Sequence, residues 1–425
     1  MKLPEIRWAK SSTFNKDGIE LSTLRKHKPD YWLPAICLIL AIIGVVVVYS
    51  IGPALQQTTG ISSTYLTSRQ LLAVGLSIIA FFMASRLPVS FYKNYYKLFI
   101  GFALLVTFAA VIIPVNPAYP AHRWVRLGGL SFQSVEVVKY VVVVVTAMFL
   151  TRAMRLGIVN DNRKVMIPFA VALVTMGILI AYIQSDLGSM GVIVAIMGSM
   201  AFMAGLNLKK VAVIGAVILV GLVLAIIVFP YRRARIEAYI HPQSNCHSAA
   251  NFQACQALIA VGSGGFLGSG LGKSVSAYGY EPEADNDSIF AIYAQTFGFV
   301  GCIIMIGLFT VLFTRMKNIA VGAPDNLTRL IVIGILAWLS FQTIINIGAM
   351  VGVLPLKGIT LPFVSYGGTS VVFSAAAMGL VYQISSYSDF RVVKTESLNG
   401  SKYDESGPDR RRIRGAYHPN TGGRD

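Results

Sequence analysis

The sequence predicts an all-α polytopic membrane protein with about ten transmembrane helices, cytoplasmic N- and C-termini, and a large extracytoplasmic loop between helices seven and eight. The chain is 55% hydrophobic and only 13% charged. Its apolar runs, such as 33–50 and 211–229, are long enough to cross the roughly 30 Å hydrocarbon core as helices. The placement of Lys and Arg residues supplies the orientation.

Each predicted span is an apolar run that ends at charged or turn-forming residues. The predicted spans are 33–54, 70–86, 98–115, 135–154, 165–184, 187–206, 211–229, 288–314, 330–352 and 361–386. The basic segment before the first span is too long for a cleaved signal and is followed by no small-residue cleavage site, so we expect this span to remain as an anchor.

The chain therefore divides into three parts. An N-terminal cytoplasmic tail covers 1–32, and a membrane domain covers 33–387 with its extracytoplasmic loop at 230–287. A basic cytoplasmic tail at 388–425 has the composition of a disordered segment. The remaining external segments are predicted at 116–136, 184–187 and 353–360.

Basic residues mark one side of the membrane. The N-terminal tail, the C-terminal tail and every second short loop together hold 27 of the 36 Lys and Arg residues. Because cytoplasmic loops carry the excess of Lys and Arg, both termini are predicted to be cytoplasmic. An even number of spans agrees with this orientation.

The formal net charge of +17 is accounted for by this bias and by the tails. A nucleic-acid-binding protein would need a basic folded domain with stacking aromatic residues, and the sequence shows none. The basic C-terminal tail is instead expected to be attracted to anionic membrane lipids.

Cysteine and glycine patterns add limited information. Cys37 and Cys302 lie within spans, as buried apolar residues do, whereas Cys246 and Cys255 share the large external loop. A disulfide and two free thiols are both open there. The run 262–274 resembles a phosphate-binding loop, but Leu267 stands where that pattern needs Gly, so we expect an irregular loop whose backbone approaches a ligand or the membrane.

Two charged residues open the fourth span. Glu136 and Lys139 are three residues apart, so they share a helix face and can form an ion pair. Charges at this depth usually face a bundle interior or a wet cavity. A structural pair between helices and a pair lining a functional cavity both fit.

Two further motifs lie in external segments, and each of them has both a structural and a functional interpretation. Asp186, after Gln184, can cap the sixth span or belong to a site. Arg123 and Trp124 can anchor the chain at the interface, and the guanidinium can bind an anionic headgroup.

The start of the last span is broken by Lys357, by proline, and by the run Ser365, Tyr366, Gly367 and Gly368. Backbone groups freed by Pro and Gly need partners from neighbouring helices or from cavity water. This segment therefore either packs helices or lines a substrate site.

The densest group of carboxylates precedes the eighth span. Glu281, Glu283, Asp285 and Asp287 hold four of the nineteen acidic residues within seven positions. Crowding and partial desolvation can tune one carboxylate into a proton acceptor. Hard oxygen ligands also suit a divalent cation, Mg²⁺ or Mn²⁺, although the sequence leaves any metal ligand unknown.

Taken together and in order, these motifs resemble the SEDS family (shape, elongation, division and sporulation) of bacterial peptidoglycan polymerases, over roughly 33–388. The resemblance is carried by Arg123-Trp124, by 133–139, by 184–188, by 282–291 and by 354–368. Ser134-Val135 replaces a Pro-Ser pair, Ser185 replaces a Pro, and Gln295-Thr296 replaces a Glu-Glu pair of the family. The string 357–360 resembles the division-type FtsW branch more than the elongation-type RodA branch.

The resemblance implies a function at the outer face of the bacterial plasma membrane. It implies a glycosyltransferase that polymerises lipid II, with inversion at the donor carbon and undecaprenyl pyrophosphate as leaving group. Asp287 matches the essential carboxylate and is the candidate base. Arg123, Lys139 and Lys357 are candidates to stabilise the leaving group, and Glu136 and Asp186 to organise the cavity.

The remaining substrate-binding candidates are Trp124, Gln184, Glu283, Ser365, Tyr366, Gly367 and Gly368. The implied partners are a class B penicillin-binding protein and other divisome proteins. A lipid II flippase, an elongation-type polymerase and a divisome scaffold are the alternative functions.

Overall fold

In the computed structural model, the described residues are 28–59, 62–112, 124–127, 130–228, 249–274, 286–355 and 358–388, with isolated positions between 229 and 248. Within them the regular structure is helical apart from one hairpin. The helices are α1 (Trp32–Thr59), α2 (Tyr65–Arg86), α3 (Val89–Ile112), α4 (Ser134–Arg155), α5 (Ile167–Met176), α6 (Leu187–Met203), α7 (Leu208–Val228), α8 (Ala249–Ser263), α9 (Ile289–Val321), α10 (Asn326–Met350) and α11 (Gly368–Ser385). Strands β1 (Trp124–Leu127) and β2 (Leu130–Gln133) pair antiparallel and lead directly into α4.

The all-α membrane class is confirmed. A helix stands at each of the ten predicted spans in the described ranges, and eight of the apolar helices are long enough to cross a membrane. The tenth predicted span, 361–386, was wrong at its start: 361–367 forms turns, and α11 begins at Gly368. Helix α5 continues into π-helical turns at both ends, so its apolar stretch runs from Asn162 to Ile183.

Three helices form the centre of the bundle. In the most apolar stretch of α4, 89% of the residues are buried, and the share is 67% in both α10 and α11, against 22% in α3. A helix that is apolar all round belongs inside a bundle, and the Val-rich run 141–145 of α4 has this character. The charged pair at the start of α4 is therefore carried into the protein interior.

Contacts at one end of the bundle join the start of α1 to the ends of α9 and α11. The Asp30 backbone N–H donates to Ser385 Oγ at 3.1 Å, and Arg315 Nη1 lies 3.8 Å from Asp30 Oδ2. The Arg315 guanidinium also lies 5.5 Å from the centroid of the Trp32 ring. The start of α1 and the end of α11 thus lie together, as an even number of membrane crossings requires.

At the opposite end, a glycine-containing loop packs against a break in α9. The loop, Gly264–Lys273, follows α8, and the break is at Gly298, with φ 66° and ψ −165°. An added Cβ at Gly264 would meet the Ala294 carbonyl, and one at Gly298 would meet the Gly268 backbone N. The glycines permit backbone to approach backbone, so the predicted irregular loop is present but its backbone neighbour is α9.

Gln295, one of the residues that departs from the family pattern, holds this loop. Its Nε2 donates to Ser263 Oγ at 2.8 Å, and its Oε1 accepts from Ser274 Oγ. The Gln295 carbonyl accepts the Ser269 N–H at 2.9 Å. An uncharged amide can donate and accept here, whereas an ionised carboxylate could only accept.

Replacing Gly298 by alanine is expected to destabilise the protein. Its φ and ψ lie in a region that is almost restricted to glycine, which costs about 1–3 kcal/mol for other residues, and the added Cβ would overlap the loop backbone. The matched control is Gly307→Ala on the same helix, where an added Cβ meets nothing within 4 Å. Thermal unfolding in detergent should show a lower midpoint for Gly298→Ala and an unchanged midpoint for Gly307→Ala. Equal midpoints for the two variants would contradict the docking of the loop against α9.

The structure joins Cys246 and Cys255 in a disulfide, with their Cα atoms 5.6 Å apart. Cys37 and Cys302 are free thiols and are half-buried. Of the two alternatives open from the sequence, the structure contains the bridge, which ties the middle of α8 to Cys246, three residues before the helix begins.

Candidate functional site

The Glu136–Lys139 pair lies at the end of the bundle where α4 begins and α10 ends. Lys139 Nζ donates to Glu136 Oε1 at 2.7 Å, and the two side chains are 1% and 3% exposed. The ammonium also lies 5.1 Å from the centroid of the Trp338 ring on α10. The predicted ion pair is confirmed, and it is buried among helices.

Gln342 of α10 is the hub of the surrounding hydrogen bonds and is fully buried. Its Oε1 accepts from Lys139 Nζ and from Trp338 Nε1, both at 2.8 Å. Its Nε2 donates to the Thr360 carbonyl at 2.9 Å and to Thr360 Oγ1 at 3.1 Å. Because Lys and Trp can only donate here, the amide has one acceptable orientation.

The segment 358–370 is tied to this hub. Thr360 Oγ1 and Ser370 Oγ lie 2.8 Å apart, and Ser365 Oγ accepts the Leu361 N–H at 2.7 Å. Thr369 Oγ1 accepts the Gln133 N–H at 3.2 Å, which connects the hairpin to α11. The broken helix start, predicted either to pack helices or to line a site, is therefore joined to the buried pair through Gln342.

Ser365, Tyr366 and Gly367 form the turn that leads into α11, and Gly368 is the first residue of that helix. Ser365 is buried, Tyr366 is half-buried, and Gly367 is the residue before the first helical turn. Phe363, just before the turn, has φ 66°, which is a strained conformation for a bulky residue. Such strain persists where surrounding contacts hold it, and it is concentrated at functional sites.

Asp287 is connected to the same network through its main chain. Asn346 lies one helical turn beyond Gln342, and its Nδ2 donates to the Asp287 carbonyl at 2.8 Å and to the Ile359 carbonyl at 2.7 Å. The Asp287 residue is half-buried at the start of α9. The candidate base and the buried ion pair thus lie at the same end of the bundle, joined by one face of α10.

Gln184 and Asp186 lie at the turn between α5 and α6. Gln184 Nε2 donates to Ser134 Oγ at 2.9 Å, at the start of α4. The Asp186 carboxylate accepts the Ser189 N–H at 3.0 Å and the Ser189 hydroxyl at 2.9 Å, so it caps α6. Ser185 between them has φ 53°, the second strained non-glycine residue of the described chain.

Buried acceptor atoms in this region that have no hydrogen-bond donor among the described residues include Glu136 Oε2, Gln184 Oε1 and Asn346 Oδ1. Buried polar atoms are nearly always paired, so each is suited to a donor from a ligand or a water molecule.

Arg123, Glu283 and Lys357 lie outside the described residues, and Trp124 is described only as the first residue of β1. Among the described residues, no group of three or more His, Cys, Asp or Glu side chains could hold a metal ion. Since Glu281, Glu283 and Asp285 are outside that part of the chain, the divalent cation stays a prediction.

Sequence reasoning missed Trp338, Gln342, Asn346 and Thr360. The first three recur every four residues in an otherwise apolar span, so they share one face of α10. This spacing was the signal that could have found them, because a polar stripe in a membrane helix must have polar neighbours.

Gln342→Leu is expected to lower the free energy of unfolding by more than the 1–3 kcal/mol typical of one orphaned buried group. The change removes the acceptor of Trp338 Nε1, one acceptor of Lys139, and the donor to Thr360. The control is Thr343→Val, which removes only a bond to Leu339 of the same helix. Chemical denaturation in detergent should show a larger loss of unfolding free energy for Gln342→Leu than for Thr343→Val. An equal loss for the two variants would contradict the role of Gln342 as the hub of the network.

The architecture and the site define a multi-pass membrane protein with a buried ion pair and a carboxylate at one end of its helices. The chain belongs to the FtsW/RodA/SpoVE family of cell cycle proteins, which matches it over residues 31–389.

Two similar proteins have functional names. Stage V sporulation protein E of Bacillus subtilis (strain 168) is 34% identical over 369 residues, 87% of this chain and 100% of that protein. A probable peptidoglycan glycosyltransferase FtsW of Coxiella burnetii is 33% identical over 362 residues, 84% of this chain and 95% of that protein.

Solved structures share the fold. A chain from a peptidoglycan synthase complex, studied for the coordination of polymerization and crosslinking, has a TM-score of 0.67 at 23% identity, covering 84% of this chain and 97% of that one. The rod shape determining protein RodA of Thermus thermophilus has a TM-score of 0.59 at 23% identity, covering 84% of this chain and 96% of that one. At this identity the likeness concerns the fold alone.

Proposed function

We propose that this protein is a peptidoglycan glycosyltransferase that polymerises lipid II at the outer face of the bacterial plasma membrane. The observation that carries the proposal is a pair of hydrogen-bonded groups on one face of α10: Gln342 accepts from Lys139 of the ion pair, and Asn346, one turn further, donates to the Asp287 main chain. It brings a fixed cation and a carboxylate to one end of the bundle. Family membership adds that full-length relatives are named for this activity.

In the proposed reaction, Asp287 takes a proton from the acceptor sugar hydroxyl. The hydroxyl oxygen then bonds to the anomeric carbon of the donor, and the bond from that carbon to undecaprenyl pyrophosphate breaks. One step inverts the configuration, so a single base is needed and no second carboxylate nucleophile.

Lys139 is proposed to help stabilise charge on the leaving pyrophosphate. Its ammonium has three donors, and two acceptors are described for it, Glu136 and Gln342. The third donor is available to a substrate oxygen, where fixed positive charge is most effective. Arg123 and Lys357 remain proposed contacts of the leaving pyrophosphate. A divalent cation bound there would also stabilise its negative charge.

The other candidates are proposed to shape the cavity. Glu136 holds Lys139 in place, and Gln184 and Asp186 set the turn beside it. Ser365, Tyr366, Gly367 and Gly368 are proposed to line the substrate path, together with Trp124 and Glu283.

A division role is proposed over an elongation role. The named relatives of FtsW and SpoVE type reach 33–34% identity, whereas the RodA structures reach 22–23%. A class B penicillin-binding protein and other divisome proteins are the proposed partners, since a fold relative comes from a complex that also crosslinks.

The test is polymerisation of lipid II by the purified protein, with any penicillin-binding partner's own polymerase disabled. Glycan strands on a gel are expected. Movement of lipid II across vesicle membranes without polymer would support a flippase instead. If neither activity is observed, a scaffold function would be favoured. Loss of polymerisation on chelation with EDTA, followed by its restoration with Mg²⁺ or Mn²⁺, would identify the cation.

A further inference from the structure

The loop Gly264–Lys273 presents large apolar side chains on its outer surface. Phe266, Leu267 and Leu271 are 68%, 76% and 56% exposed. Single exposed apolar residues are common, but these three form one patch within six positions. The patch is unusual for a segment predicted as an external loop in water.

The patch continues onto the flank of a membrane helix. The Phe266 and Phe299 rings have centroids 6.0 Å apart, and Ile303 lies one turn further along α9. Phe299 and Ile303 are 56% and 54% exposed. Helix α9 rises about 24 Å from Phe299 to Arg315, which lies near its C-terminal end. This distance is shorter than the roughly 30 Å thickness of the hydrocarbon core, so the patch and the Arg315 charge lie within one hydrocarbon thickness of each other.

Several backbone groups of the loop are paired with α9 inside the protein. The N–H groups of Ser269 and Gly270 donate to the Gln295 and Thr296 carbonyls at 2.9 and 3.1 Å. In return, the N–H groups of Phe299 and Val300 donate to the carbonyls of Gly265 and Phe266 at 3.0 and 3.2 Å. The break in α9 and the loop thus supply each other's missing partners.

Hydrocarbon tolerates an irregular backbone only where its polar groups are paired within the protein. A loop in water has no such requirement, because water pairs with exposed backbone groups. The combination of backbone groups paired with α9 and outward apolar side chains therefore fits lipid. Lys273, which is exposed just after Leu271, gives the segment a charged end of the kind that lies at the headgroup level.

We propose that Gly264–Leu271 is a re-entrant element embedded in the membrane, and that Phe266, Leu267 and Leu271 contact the acyl chains of the leaflet at the Asp287 end of the bundle. This inference does not depend on the proposed catalytic function. It changes the predicted loop 230–287 from a wholly extracytoplasmic segment to one with a membrane-inserted part.

The experiment uses the full chain with Cys37→Ala and Cys302→Ala, so that neither described free thiol reacts. A nitroxide label is attached through Leu267→Cys, through Ile303→Cys as the lipid-facing reference, and through Lys209→Cys as the exposed reference at a helix end. Each protein is placed in vesicles of phosphatidylethanolamine and phosphatidylglycerol. Power saturation then compares collisions with molecular oxygen, which concentrates in hydrocarbon, and with a water-soluble nickel chelate.

The expected ratio of oxygen to nickel accessibility at position 267 matches that at 303 and exceeds that at 209. A ratio like that at 209 would place the loop in water and overturn the proposal. Low accessibility to both reagents would also overturn it, since another protein segment would then cover the patch. A label through Leu271→Cys repeats the measurement if the variant at 267 does not fold.

Discussion

Asp287→Asn is expected to abolish detectable polymerisation of lipid II while leaving the protein folded. Loss of a general base typically lowers the rate by about 10²- to 10⁴-fold. Asparagine has nearly the same shape, and the bond from Asn346 is to the Asp287 main chain, so that contact survives the substitution. The measurement is the initial rate of glycan formation by purified protein with the partner's polymerase disabled.

The matched control is Glu281→Gln, which removes another carboxylate of the same acidic group. We expect this variant to polymerise at the normal rate, because the resemblance assigns the base to Asp287 alone. If Asp287→Asn retains glycan synthesis, the base assignment is wrong. If both variants lose activity, the acidic group acts collectively, as metal ligation would require.

Lys139→Met is expected to cause the largest loss of stability among single changes at the site. It leaves Glu136 as a buried charge whose described partner is gone, and breaking a buried pair in this way costs about 3–5 kcal/mol. The free energy of unfolding in detergent, followed by tryptophan fluorescence, measures the effect. Lys164→Met, at an exposed position, is the control and should leave stability unchanged.

The double variant Glu136→Gln with Lys139→Met separates structure from function. Removing both charges should recover much of the stability, since buried pairs are often replaced by uncharged residues at little cost. If the pair also serves the reaction, the recovered protein should remain inactive. A stable and fully active double variant would show that the pair only joins helices.

The local parts of the site could be predicted from the sequence. The spacing of Glu136 and Lys139 predicted their ion pair because residues three apart share a helix face, whatever the rest of the chain does. Asp186 as a helix cap also followed from its position before an apolar run. The start of the last span was misplaced because 361–367 is nearly as apolar as a helix, and hydropathy does not report turns.

Contacts between distant segments could not be predicted in this way. Lys139 and Gln342 are 203 positions apart, and the glycine loop meets α9 about thirty residues further along the chain. Gln295 looked like a departure from a family pattern, and only its bonds to Ser263 and Ser274 reveal what an amide does there.

The sequence by itself determined the class of protein, the number and order of the apolar runs, and the predicted orientation, because burial in hydrocarbon is decided by composition along each segment. The tertiary structure decided which helices lie at the centre and which polar groups meet. Apolar helix faces are chemically alike, so their pairing depends on side-chain shape and on the few polar groups that must find partners. In this chain those groups lie on α4, on α10 and just before α9, and their pairing forms the candidate site.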